Sequence, residues 1–190
     1  MLDTICTDSV KEALDLADAQ HWTRQPPRSD RARLRFLLRH QDIRALAARL
    51  RCGQARLTEV LAGASLVPDD PLRRRIYWEV IRLWQPRVRR RVHDAVSAGK
   101  GNGMVVCFRA RFGFAAAVGS SDDPRLRLLT LRLANEHAAL LFEARHRDAD
   151  EQEFLHILAD AAGASYFNIV PSSRLREVSL TEIEFVEFSY

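Results

Sequence analysis

Cysteine is scarce and scattered: three in 190 residues, Cys6, Cys52 and Cys107, none in a CxxC or Cys/His spacing. That pattern argues against a disulfide framework and a zinc site, and it implies a reducing compartment. Lysine is scarcer still, with only Lys11 and Lys100, so the cationic surface is built almost wholly of arginine. No apolar run approaches the roughly 18 residues of a membrane span. The opening stretch MLDTICTDSVKEALDLADAQ is acidic where a secretory leader is basic. A cytoplasmic protein with no membrane partner is expected. Also missing are a GxSxG elbow, a Walker phosphate loop and an i, i+4 histidine pair among His137, His146 and His156, which stand nine and ten residues apart. Asp122 and Asp123, beside Pro124, read as a solvated turn. No permanently bound cofactor or metal is expected, and no catalytic centre of the chain's own.

What is present is 47% hydrophobic residues, enough for one or two cores, and a charge that is unevenly spread. The net charge is only +4, yet between Arg24 and Val92 18 arginines meet six carboxylates, a local excess of +12. Residues 101–190 carry a net −4, and residues 1–20 hold one cation against five anions. A basic middle between acidic flanks points to one surface that meets a polyanion.

Glycine clusters in SAGKGNG, Ser97 to Gly103, where apolar periodicity lapses. The seam divides the chain into an N-terminal arm (1–23), a helical module (24–96), a linker (97–103) and a mixed domain (104–190). Three- and four-residue apolar spacing predicts helices in VKEALDLADAQ, RARLRFLLRH, DIRALAARL, QARLTEVLAG and LRRRIYWEVIRLW, with Pro26 and Pro27 separating the first two. Beyond the seam, MVVCFRARFGFAAAV and LRLLTLRL read as strands, NEHAALLFEARHR and DEQEFLHILADAAG as helices, and SYFNIV and LTEIEFVEFSY as strands again. The fold class is α+β, an all-α helix-turn-helix module followed by a small α+β domain. In the last strand Ile183 and Phe185 are expected in the core, Glu182 and Glu184 in solvent, with a bulge near Val186.

The segment DIRALAARLRCGQARLTEVLAG has the pattern of a helix-turn-helix: Ala47 where the helices cross, a turn over Arg51 to Gly53, and Leu57 and Val60 as core anchors. Arg51 stands where many such motifs carry glycine. The second helix would expose Gln54, Ala55, Arg56, Thr58 and Glu59, of which Gln54, Arg56 and Thr58 are of a type to meet base edges or phosphates. Two arginine clusters flank it, Arg73, Arg74 and Arg75 on one side, and Arg87, Arg89, Arg90 and Arg91 beside Trp84 on the other. They are expected to contact the nucleic-acid backbone.

RARFGF (Arg109–Phe114), SSDDPRLRLLT (Ser120–Thr130), YF (Tyr166, Phe167) and TEIEFVEF (Thr181–Phe188), taken with the helix-turn-helix, carry a resemblance. From about Arg33 onward the chain resembles the telomere-protecting terminal proteins of linear Streptomyces and other actinomycete chromosomes and plasmids. The resemblance implies a non-enzymatic protein that binds telomeric DNA at the nucleoid's chromosome ends. There it supplies a side-chain hydroxyl as primer for end patching and stays covalently attached to the 5′ end. A threonine-containing stretch of the family maps onto Ser120 and Ser121, with Ser121 the closer match. The implied partners are telomeric DNA, a DNA polymerase with its own magnesium, and a telomere-associated protein; a homo-oligomer is compatible with it. Where family members carry a hydroxyl after the RARFGF aromatic, this chain has Ala115. The alternative reading of the residues is a helix-turn-helix transcription regulator whose α+β half dimerises or binds a ligand.

Overall fold

A computed structural model of the chain describes residues 7–114, 125–166 and 178–190. In chain order the elements are α1 (Val10–Ala19), α2 (Asp30–Leu37), α3 (Ile43–Arg49), α4 (Gln54–Ala62), α5 (Pro71–Leu83), α6 (Pro86–Ser97), β1 (Val105–Phe114), β2 (Arg125–Arg132), α7 (Asn135–His146), α8 (Glu151–Tyr166) and β3 (Val178–Ser189). The fold is α+β, with two compact units: Trp22–Arg87, and Met1–His21 together with Val88–Tyr190.

The unit 22–87 is helical. Ser29, Asp42 and Asp70 cap α2, α3 and α5 through their side-chain oxygens, each satisfying a backbone N–H that the helix leaves unpaired. Apolar residues at helical spacing, Leu34, Leu37, Leu46, Leu50, Leu57, Val60, Leu72, Ile76 and Val80, converge into one core. Burying a Leu, Ile or Val of this kind contributes about 1.5–3 kcal/mol. Trp84 lies edge-on to Phe36, ring centroids 5.1 Å apart, and its indole N–H donates to the Arg24 carbonyl at 2.9 Å. Trp84, partly buried, thus packs against the core of this unit.

The other unit is built on an antiparallel sheet of order β2-β1-β3. Period-two alternation turns Val106, Phe108, Ala110 and Phe112 inward, where they meet Leu129 and Leu131, Val186 and Phe188, and apolar residues of α1, α7 and α8. Arg109 and Arg111 point the other way and pair across the sheet with Glu184 and Glu182 at 3.1 and 2.6 Å. The bulge in β3 lies upstream of the predicted one: Arg109 registers with Phe185 but Arg111 with Thr181, and Glu182 adopts φ 50°. Phe185 consequently stands opposite outward-facing Arg109 instead of entering the core, while Ile183 packs against the core as expected. Of the predicted strand SYFNIV, Ser165 and Tyr166 are the end of α8, and the remaining residues lie outside the described ones.

The unit boundary also differs from the sequence seam. It falls at the start of α6, because Arg89, His93 and Val96 are buried, Val96 within the core of the sheet unit, which also takes in α1. SAGKGNG is a helix stop inside that unit. Gly99 at φ 69° donates its N–H to Val96, and Lys100 donates to Ala95, both at 2.9 Å.

Beneath the sheet unit's surface lies a charged network. Asp18 accepts from Arg89 Nε at 2.6 Å, and from His93 Nε2 and the Tyr190 hydroxyl at 2.7 Å. Asp15 accepts from Arg145 Nε at 2.7 Å and from its Nη2. The His93 ring stacks on Phe142 with centroids 3.7 Å apart, and its Nδ1 meets His146 Nε2 at 3.2 Å. Desolvation alone would raise the Asp18 carboxyl; hydrogen bonds and charge from His93, then the charge of Arg89, hold it below the usual range instead. At Asp15 burial wins over Arg145 and Arg89, and the carboxyl titrates above its ordinary value.

Candidate nucleic-acid interface

The helix-turn-helix spans α3 and α4. Asp42 starts α3 by accepting the Ala45 N–H at 2.8 Å. Leu46, Ala47 and Leu50 are buried on its inner face, and the small Ala47 is only 4% exposed, as a helix crossing requires. The chain leaves α3 through Arg51, which adopts the left-handed φ of 50° that glycine takes at no steric cost. Arg75 holds this turn: its Nη1 donates to the carbonyls of Leu50 at 2.5 Å and Arg51 at 3.0 Å. Gly53 then opens α4 without a side-chain cap, and Gly63 at φ 120° closes it.

α4 buries Leu57 and Val60 completely and exposes Gln54, Ala55, Arg56, Thr58 and Glu59. Gln54 and Thr58, four residues apart, stand on one side of this exposed surface, and Arg56 stands on another, toward Glu59 and Asp70. The Thr58 hydroxyl donates back to the Gln54 carbonyl at 3.1 Å, which leaves its oxygen able to accept a further hydrogen bond. Arg56 Nη1 contacts Glu59 at 3.1 Å and its Nη2 contacts Asp70 at 3.3 Å. These carboxylates hold the guanidinium's proton affinity above its usual level through hydrogen bonding.

The unit 22–87 contains fifteen arginines and six carboxylates, and Arg31, Arg35, Arg39, Arg44 and Arg51 are exposed on it. The flanking arginines divide by role. Arg74 and Arg87 are exposed; Arg73 pairs with Asp30 at 3.5 Å, and Arg75 donates to the carbonyls of the turn. Arg90 and Arg91 are exposed on the stretch of α6 that belongs to the sheet unit. Arg89 is not a backbone-binding residue: it is 7% exposed and locked to Asp18, since it shares the inner face of α6 with His93 and Val96. Ser120 and Ser121 lie outside the described residues.

Two carboxylate sites went unforeseen in the sequence. Glu79, buried on α5, receives Arg49 at 2.7 Å and Arg82 at 2.6 Å; burial would raise its carboxyl, but hydrogen bonds from Arg82 and Arg49 pull it below the ordinary range. Asp15 and Asp18 were signalled only by spacing, falling one and four residues after buried Leu14. Among the described residues there is no group of three or more His, Cys, Asp or Glu side chains placed to hold a metal ion, and no helix long and apolar enough to cross a membrane. No protein-family model, no curated protein and no solved structure matches this chain.

Proposed function

We propose that the chain is a DNA-binding protein whose α4 enters the major groove and reads base edges, with surrounding arginines gripping the phosphate backbone. One observation carries this reading: once Leu57 and Val60 are buried, α4 leaves Gln54, Arg56 and Thr58 exposed on a unit with a large excess of arginine. Side chains of these types match the donor and acceptor pattern of purines, and the arginine excess matches phosphate. Selection from a randomised duplex library by the full chain tests it. Enrichment of a defined site, lost in Arg56→Ala, supports the reading; recovery of no preferred sequence would remove it.

Within that function, the resemblance of RARFGF, SSDDPRLRLLT and TEIEFVEF to linear-replicon terminal proteins favours a telomere-binding protein primer. In that role the Ser121 hydroxyl, or that of Ser120, attacks the α-phosphate of a deoxynucleotide. A serine oxygen–phosphorus bond forms, pyrophosphate leaves, the hydroxyl proton passes to solvent or a polymerase base, and the polymerase's magnesium ions stabilise the departing charge. The chain itself supplies position and a hydroxyl, not catalysis. Incubation with telomeric DNA, labelled deoxynucleotide, magnesium and host extract should label the wild type and spare the Ser120→Ala, Ser121→Ala double variant. Labelling that persists in the double variant would move the acceptor elsewhere.

A further inference from the structure

Arg56 is the only candidate reader whose side chain is already held by two anions, and the two differ in kind. Glu59 is three residues on along α4 and 57% exposed, a flexible partner on the same helix. Asp70 is 17% exposed and fixed: its Oδ1 accepts the Leu72 N–H at 2.8 Å as the cap of α5, directly before Pro71, which leaves Oδ2 aimed at Arg56 Nη2 at 3.3 Å. The guanidinium therefore reaches outward from a preset direction, with two N–H groups occupied and its other donors available.

We infer that Asp70, assisted by Glu59, is a specificity-determining residue of the proposed DNA interface, because the paired carboxylates make Arg56 favour a guanine edge over a phosphate. This rests on α4 being the reader. The physical reason is a difference in charge between the two targets. Guanine offers two neutral acceptors, O6 and N7, whereas a phosphate brings a full negative charge that both carboxylates repel. An arginine lacking these neighbours would bind phosphates of any sequence as readily as a base. Orientation adds to this, since a guanidinium held at two points loses less conformational freedom when it docks. Exposed ion pairs contribute little to folding stability, so the arrangement has its main effect on what Arg56 selects.

The test uses the full chain. Affinity for a library-selected duplex and for a random duplex is measured at one salt concentration for wild type, Asp70→Asn, Glu59→Gln and Arg56→Ala. Asparagine still caps a helix, so Asp70→Asn keeps α5 intact, which thermal unfolding verifies. Asp70→Asn is expected to tighten random-duplex binding severalfold and to lower the ratio of selected to random affinity by roughly tenfold, with guanine preference lost at one position. Glu59→Gln should act in the same direction and more weakly. An unchanged ratio and guanine preference in both carboxylate variants, while Arg56→Ala abolishes the preference, would overturn this inference and leave the reader intact. Arg56→Ala binding like wild type would overturn both.

Discussion

Asp18 and His93 stand 75 residues apart in the chain, yet His93 Nε2 donates to an Asp18 oxygen at 2.7 Å inside the sheet unit. The same carboxylate holds Arg89 and Tyr190, so a single side chain of α1 ties together α6 and the end of β3. Taking these charges from water is costly, and the network holds only while every member is paired.

Asp18→Ala leaves Arg89 buried without its closest partner and is expected to cost about 3–5 kcal/mol, read from urea unfolding. Arg89→Met should also destabilise, yet leave the DNA affinity of the folded protein at the wild-type value. A loss of affinity without a loss of stability would return Arg89 to the DNA-facing set.

Stability should fall as the solution is acidified through the histidine range. Desolvation, then the charges of His93, Arg90, Arg89 and Arg145, hold His146 below its ordinary value of 6.5. The unfolded chain therefore takes up this proton first. Its stabilising contribution is present above 6.5, declines as pH drops toward the lower folded value, and levels off beneath it. His146→Gln should flatten the slope of thermal midpoint against pH in that window. In the carboxylate range Asp18, lowered, and Asp15, raised, act in opposite senses, Asp18 losing stability with acid and Asp15 regaining it.

Arg51→Gly should stabilise the helix-turn-helix by up to about 1 kcal/mol, because a left-handed conformation costs a side-chain-bearing residue roughly 1–2 kcal/mol, partly offset by glycine's freedom in the unfolded chain. Arg75→Ala should destabilise it by about 1–3 kcal/mol, through the carbonyls of Leu50 and Arg51 that lose their donor. Denaturation midpoints for the two variants should move in opposite directions.

Local pattern made the helix-turn-helix readable in the sequence: the period of Leu46, Leu50, Leu57 and Val60 names its own buried face, and what remains of α4 is the candidate interface. The alternation in β1 and β2 was equally plain. The burial of Arg89 is not legible in the sequence, because its charge outweighs its spacing. Arg89, His93 and Val96 recur at four and three residues and trace the inner stripe of a helix, but an arginine in a basic run reads as solvated until its partner is known. That partner, Asp18, lies 71 residues away. The position of the β3 bulge is hidden for a related reason, since register is settled by pairing with Arg109 and Arg111 and not by β3 alone.

Whether the basic helix-turn-helix binds duplex DNA is read from a salt titration of the full chain with Arg56→Ala beside it. The wild type should bind its selected duplex with log affinity falling linearly against log salt, by roughly 0.9 for each phosphate neutralised, and Arg56→Ala should lose sequence preference while keeping most of that slope. Duplex binding that is absent at low salt, or insensitive to salt, would contradict the proposed function.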